Sequence, residues 1–379
     1  MTHCSTTAPL GLYLHFPFCE MRCHYCDFVT AVGAPEVRRR YVDALCAEIV
    51  TRAAEADRPI TSVFFGGGTP SLLSPADIRQ IGHALRAAFT VPPGVEWTFE
   101  ANPESLSRVG LAAMRQVGAN RLSLGVQSMD PETLVGLGRI HTKGRVHQAV
   151  ALARQEGIDN LSLDLIYGWP YEDPAAWQRT LSEVLQLSPQ HLSLYGLTVE
   201  RGTPYAAAIR QGRQPAPDPD RQAEQYERAE LMLEEAGYAH YEISNWAMAG
   251  RECAHNLNYW RRGEYLGLGL GAHSHLAGRR FHNTPRLEDY LRCSSPPARL
   301  DEEILSPTTR TAEWFMLGLR LAEGLDLSQW DRQVAPENPP PPAPFGRYLQ
   351  TGLLRQEGVR VTLTSRGRLL ADEILAALV

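Results

Sequence analysis

Leu10-Gly-Leu-Tyr-Leu-His-Phe-Pro-Phe18 runs without a break into Cys19-Glu-Met-Arg-Cys23-His-Tyr-Cys26. The first part is apolar and aromatic-rich and reads as a β-strand near Leu10–His15. The second is a Cys-x3-Cys-x2-Cys cluster, which sets three thiols on one short loop at the strand's end. Three thiolates can hold an iron–sulfur cluster at three corners, because thiolate is the usual protein ligand to cluster iron. The fourth iron has no nearby cysteine and stays open to an exogenous ligand.

Two other readings of the loop compete. A zinc site takes four ligands, commonly from two Cys-x2-Cys pairs. Cys4, Cys46, Cys253 and Cys293 are isolated, and His24 or Asp27 would have to supply a fourth ligand from within the same tight loop. A disulfide framework fits poorly with an odd total of 7 cysteines and no secretory signal.

Outward from this strand, short β-branched or aromatic runs alternate with longer helical patterns, the signature of βα units around a parallel sheet. Strands are expected near Ser62–Phe65, Glu96–Glu100, Arg121–Val126, Leu161–Ile166 and His191–Tyr195. Helices are expected at Glu36–Ala56, Ser74–Ala88, Ser105–Gln116, Gly144–Gln155 and Pro174–Leu187. Six such units make a partial (β/α)6, TIM-like barrel, although periodicity alone does not separate this from an open doubly wound sheet. After Thr198, Pro215, Pro217 and Pro219 interrupt the chain before a helix at Asp220–Ala236. The Gly-rich stretch Gly263–Gly271 then leads into His273 and His275. From about Ser306, two or three helices and a hairpin with Val359–Thr364 read as a small winged-helix-like α+β module, with Pro339–Pro344 as a stiff loop. The expected division is 1–200 core, 201–305 extension and 306–379 C-terminal module.

The net charge of −6 and the absence of a basic stripe with interleaved aromatics give no sign of a nucleic-acid partner. Residues 1–18 carry no Lys or Arg and no cleavage site, and no run of about 18 apolar residues occurs, so a cytoplasmic protein without a transmembrane segment is expected.

Phe64-Phe-Gly-Gly-Gly-Thr-Pro-Ser71 follows a strand and precedes a helix. Its glycines either make an ordinary tight βα turn or let a ligand lie against exposed peptide groups. No Gly-Lys-Ser/Thr follows, so it is not a Walker phosphate loop.

The three-cysteine spacing resembles the signature of the radical S-adenosylmethionine superfamily. Within it, Tyr13-Leu-His-Phe-Pro-Phe-Cys19, Gly66-Gly-Gly-Thr-Pro70, Phe99-Glu-Ala-Asn-Pro103, Leu124-Gly-Val-Gln-Ser128 and Leu163-Asp-Leu-Ile-Tyr-Gly168 resemble the oxygen-independent coproporphyrinogen III oxidase family. The resemblance spans nearly the whole chain. It implies the partial barrel, a [4Fe-4S] cluster on Cys19, Cys23 and Cys26, and S-adenosylmethionine at the open iron. Tyr13, Gly67 and Glu100 resemble contacts to a first S-adenosylmethionine. Gln127, Arg139 and Asp164 resemble a second set, with Gly68, Thr69 and Tyr25 near both. Taken singly, Arg139 and Asp164 also read as an ion pair, and Gln127 as a strand-end cap.

The decarboxylating oxidases have a further cysteine two residues after the third, where this chain has Phe28, and a long arm ahead of the cluster, which here begins at residue 19. The sequence is instead similar to the haem chaperone branch, which carries His-Asn-x-x-Tyr-Trp, here His255-Asn-Leu-Asn-Tyr-Trp260. That implies haem as a further cofactor with His255 as its leading ligand and His273 and His275 as competitors. It also implies haem delivery to an acceptor protein, for example a respiratory enzyme at the membrane, and allows a homodimer. No Cys-x-x-Cys-His sequence for covalent haem attachment is present. The competing expectation is radical chemistry on a coproporphyrinogen propionate.

Overall fold

The computed structural model describes residues 9–56, 58–292, 297–329 and 344–378. Six βα repeats open the chain. Their strands are β1 (Leu10–Phe16), β2 (Ser62–Gly67), β3 (Glu96–Ala101), β4 (Arg121–Gln127), β5 (Asn160–Tyr167) and β6 (His191–Gly196). Helices α1 (Pro35–Arg52), α2 (Pro75–Ala88), α3 (Arg108–Val117), α4 (Pro131–Gly136), α5 (Lys143–Gln155) and α6 (Pro174–Gln186) lie between them. All neighbours from β1 to β6 pair in parallel and in sequence order. A doubly wound sheet reverses its order at a switch point; this sheet does not, so the repeats wind one way, as in a TIM-like barrel.

Helix starts are strongly specified by sequence. Ser74-Pro75, Asp130-Pro131, Asp173-Pro174, Thr203-Pro204, Asp218-Pro219 and Ser306-Pro307 each place a side-chain acceptor at the cap and proline in the first turn. The acceptor satisfies an orphan N–H, and proline has no N–H to lose there. Strand residues are buried almost without alternation, as in β4, because helices cover one face and the barrel interior takes the other.

Beyond β6, helices α7 (Pro204–Arg210) and α8 (Pro219–Glu235) precede β7 (Ala239–Glu242), β8 (Asn245–Ala247), α9 (Ala254–Trp260), β9 (Glu264–Gly269), β10 (His273–Leu276) and β11 (Arg279–His282). Helix α10 (Leu287–Arg292) and strand β12 (Leu300–Ile304) follow. These elements extend both edges of the main sheet, giving β12-β11-β10-β9-β1-β2-β3-β4-β5-β6-β8-β7. The Gly-rich stretch, expected only as a lead-in to His273, is therefore a strand that pairs in parallel with β1. Glycine depresses strand propensity and hid it. Its reason is close approach: a Cβ on Gly267 would sit 2.0 Å from the carbonyl oxygen of His273, where β10 folds back.

The C-terminal module has a separate sheet. Helix α11 (Pro307–Gly318) leads to β13 (Leu325–Asp326), and after the helix Pro344–Gln350 come β14 (Leu354–Glu357) and β15 (Arg360–Leu363), ordered β13-β15-β14. Phe315, Leu354, Val361 and Ile374 form its own core. Residues 339–343 of the expected proline loop lie outside the described residues.

One buried carboxylate ties α1 to the added edge. Glu48 is fully buried and accepts from the Gly269 N–H (2.9 Å), Asn283 Nδ2 (2.7 Å) and the Tyr290 hydroxyl (2.6 Å). Glu48→Ala leaves these donors without their acceptor and is expected to lower the unfolding free energy by about 3 kcal/mol. Removing the exposed Arg39–Asp43 pair should change it by about 0.5 kcal/mol or less. Urea unfolding compares the two; equal effects would contradict a structural role for Glu48.

Candidate functional site: a three-cysteine loop over an acid-lined cavity

The cysteine loop leaves β1 and is held by backbone. The Cys19 N–H donates to the Ala31 carbonyl (3.0 Å), and the Ala31 N–H to the Pro17 carbonyl (2.8 Å). The end of β2 is pressed against the loop's base: the Gly68 N–H donates to Phe16 O (2.7 Å) and the Thr69 N–H to Phe18 O (2.9 Å). A Cβ on Gly68 would meet the Pro17 and Phe18 carbonyl groups at 2.7 Å, and Gly67 has φ +109°. The glycine triplet thus serves a close backbone approach, and Gly67 and Gly68 also face a cavity of about 880 Å³.

Cys19, Cys23 and Cys26 line that cavity with Tyr25, Thr69, Glu100, Gln127, Arg139 and Asp164. A hydrogen-bonded relay connects two of the thiols. The Thr69 hydroxyl donates to Cys19 Sγ (3.6 Å) and accepts from Asn102 Nδ2 (3.1 Å). Arg139 Nη2 donates to Asn102 Oδ1 (2.6 Å), and Arg139 Nη1 to Cys23 Sγ (3.4 Å). Arg139 therefore pairs with this relay and not with Asp164. Asp164 is held instead by the Ser123 and Ser162 hydroxyls (2.9 and 3.0 Å). Asn102 is the member that the sequence reading passed over, although it stands inside Phe99-Glu-Ala-Asn-Pro103.

Electrostatics divide the cavity. Burial, and then the neighbouring charge of Asp164, push the Glu100 carboxyl up to about 8, against one backbone N–H from Gly67 that lowers it. Burial also raises Asp164, and Arg121 offsets part of this. The wall away from the cysteines favours a cation, whereas Arg139 beside Cys23 favours an anion. Burial raises the Cys19 and Cys26 thiols, so bound iron would have to displace their protons. Gln127 sits at a bulge with φ +64°, an uncommon conformation for a residue other than glycine, at the cavity wall.

The donor set fits a cluster better than a single ion. Among the described residues, no three His, Cys, Asp or Glu side chains are gathered closely enough to hold one metal ion. A cube-shaped cluster spreads its thiolates more widely. An amino acid's ammonium and carboxylate, such as S-adenosylmethionine carries, match the acidic wall and Arg139.

Two expected site residues lie elsewhere. Tyr13 faces a second cavity, and its hydroxyl pairs with His15 Nδ1 (3.1 Å). His255 lies away from the cysteines. It is buried in α9, with Nδ1 paired to the Ser62 hydroxyl (2.8 Å) and Nε2 to the Tyr259 hydroxyl (2.8 Å). Burial pushes its pKa down to about 3, and both ring nitrogens are occupied. In this conformation it presents no nitrogen to a haem.

Cys19→Ser, Cys23→Ser or Cys26→Ser should abolish the brown absorbance of anaerobically reconstituted protein, while Cys46→Ser and Cys253→Ser keep it. Unchanged iron content in the first three would contradict the ligand assignment. For Glu100, the folded-state pKa is raised, so its contribution to stability is present below about 4.5 and lost as pH rises through about 8. Glu100→Gln should therefore gain thermal stability over the parent protein progressively across that window. A pH-independent difference would contradict burial of an ionisable Glu100.

The radical SAM superfamily model matches residues 13–184, and the HemN C-terminal domain model residues 305–370. The chain is 39% identical to the heme chaperone HemW of Mycobacterium tuberculosis over 380 residues, covering 98% of this chain and 95% of that protein. It is 32% identical to the heme chaperone HemW of Bacillus subtilis, covering 96% and 98%. In structure it is similar to the coproporphyrinogen III oxidase HemN of Escherichia coli, a radical SAM enzyme, with TM-score 0.83 at 25% identity, covering 98% and 90%. A cysteine loop on the first strand of a one-way β/α sheet, with this full-length similarity, places the chain in the HemW haem chaperone family of the radical SAM superfamily.

Proposed function

We propose that the protein binds a [4Fe-4S] cluster on Cys19, Cys23 and Cys26, S-adenosylmethionine at the open iron, and haem, and that it passes the haem to an acceptor protein. One observation carries this reading: the cysteine loop borders two adjoining cavities. Asp27, Phe28, Gly67 and Glu100 line both of them. The first has charged walls suited to an amino acid cofactor, and the second, of about 610 Å³, has aromatic and aliphatic walls and lies within the usual range for organic ligands.

The chain's own residues would act in distinct ways. Arg139 would orient a carboxylate while holding Cys23 through its hydrogen bond. Glu100 and Asp164 would receive an ammonium, and a bound cation would draw their carboxyls back toward the ionised form. Tyr25, Gln127 and Thr69 would enclose the ligand, with the backbone of Gly67 and Gly68 leaving room for it. At such a site, reductive cleavage of S-adenosylmethionine supplies radical chemistry, which the cofactor and not a protein acid or base performs. In the chaperone reading the same contacts order the loop beside the haem cavity and gate transfer. A membrane respiratory enzyme as acceptor, and a homodimer as the assembly, belong to this proposal. Among the described residues, no helix is long and apolar enough to cross a membrane.

The second reading is a coproporphyrinogen oxidase, favoured by the architecture shared with the E. coli enzyme. Phe28 opposes it, standing where those oxidases have a cysteine and lying 62% exposed between the cavities.

Anaerobically reconstituted protein would be given haem, and separately coproporphyrinogen III with S-adenosylmethionine and a reductant. A Soret band that saturates at about unit stoichiometry, without protoporphyrinogen, is expected. Rapid decarboxylation with no stable haem complex would overturn the chaperone reading.

A further inference from the structure

The second cavity lies between the cysteine loop and the β9–β10–β11 edge. Phe28, Tyr259, Trp260, Tyr265, Met316 and Leu317 give it aromatic and aliphatic walls. The hairpin adds nitrogen donors to the same lining. His273 and His275 alternate on β10 and so share a face. Opposite them on β11 stand His282 and Arg280 respectively.

Hydrogen bonding separates these imidazoles. His282 is occupied at both nitrogens, by the Asn283 carbonyl (2.8 Å) and Asp301 (2.9 Å). His275 turns Nδ1 toward the Gly263 carbonyl (3.4 Å). His273 stacks on His282 with ring centroids 4.8 Å apart, and among the described residues neither of its nitrogens makes a hydrogen bond. A partly exposed imidazole on an apolar cavity wall, braced by stacking and free at both nitrogens, is equipped to bind a metal from the side of the cavity. Burial and the charges of His282 and Arg280 also favour its neutral form, the form that ligates.

The His-Asn-x-x-Tyr-Trp motif then has a different task. His255 stacks on Phe64 at 5.2 Å and fixes the Tyr259 hydroxyl. Asn258 Nδ2 donates to the Glu264 carbonyl (3.0 Å) and pins the start of β9. Tyr259 and Trp260 carry the motif's surface into the cavity. We infer that the iron porphyrin of the proposed chaperone cycle binds in this second cavity with His273 as its axial ligand, and that His255 is a positioning residue that sets the Tyr259 wall. The porphyrin face lies against the aromatic walls. Arg262, which lines the cavity, meets a carboxylate of the porphyrin, whereas the Arg280 guanidinium is held by Glu303 and Glu313.

This inference rests on the haem-binding reading above, and the test separates the two. The full chain, reconstituted with its cluster, would be titrated with ferric haem and followed by the Soret band and by electron paramagnetic resonance. His273→Ala should raise the Kd about tenfold or more and lose the imidazole-ligated signature, with iron–sulfur absorbance unchanged and added imidazole restoring the signature. His275→Ala and His255→Gln should keep the signature, the latter with weaker binding. Unaltered signature and affinity in His273→Ala, or loss of the signature in His275→Ala or His255→Gln alone, would overturn the assignment while leaving haem binding intact. If the parent protein itself forms no haem complex, the haem-binding reading falls and this site with it.

Discussion

The close approach of β2 to the base of the cysteine loop is the constraint on which the rest depends. The amides of Gly68 and Thr69 bond directly to the carbonyls of Phe16 and Phe18, with no room for a Cβ at Gly68. This contact fixes where the loop leaves the sheet. It also fixes where Thr69 meets Cys19 and where the Gly67 N–H meets Glu100. The thiols, the relay through Asn102 and Arg139, and the acidic wall are held in one frame by backbone contacts between neighbouring strand ends. Such contacts are rigid and independent of side-chain rotamers, which suits a site that would otherwise be a mobile loop of cysteines.

From that frame the molecule keeps two environments apart at short range. One cavity is charged, with Arg139 at the cysteines and Glu100 and Asp164 facing it. The other is aromatic and bordered by the imidazoles of β10. Phe28 lies on the boundary, at the position where the oxidases have a cysteine. An exposed apolar side chain there adds surface to the second cavity and no sulfur to the first. The boundary residues are shared, so a ligand that orders the cysteine loop also shapes the haem cavity proposed beside it.

Much of this was legible in the sequence. The six strands and most of the helices between them follow from hydrophobic period, whereas the one-way strand order came from the structure. The family resemblance pointed to Tyr25, Gly67, Gly68, Thr69, Glu100, Gln127, Arg139 and Asp164 as cofactor contacts, and these residues line one cavity. Three matters were not legible. The parallel strand β9 is glycine-rich and violates strand propensity because it needs close backbone approach at Gly267. The pairing of Arg139 with Asn102 and not Asp164 is a tertiary choice between acceptors that sequence spacing does not rank. For His255 the family resemblance implies ligation, whereas Ser62, far away in the chain, occupies one of its nitrogens, a contact that spacing does not reveal.

The central claim is that the three-cysteine loop carries a cluster whose remaining iron is open to a small ligand beside an acidic wall. Mössbauer spectroscopy of anaerobically reconstituted, iron-57-labelled protein, recorded with and without S-adenosylmethionine, tests it most directly. The account predicts that a single iron subsite changes its parameters on addition, and that Glu100→Gln weakens this response. Spectra that do not change with S-adenosylmethionine, or a loop that takes up zinc in place of a cluster, would contradict it.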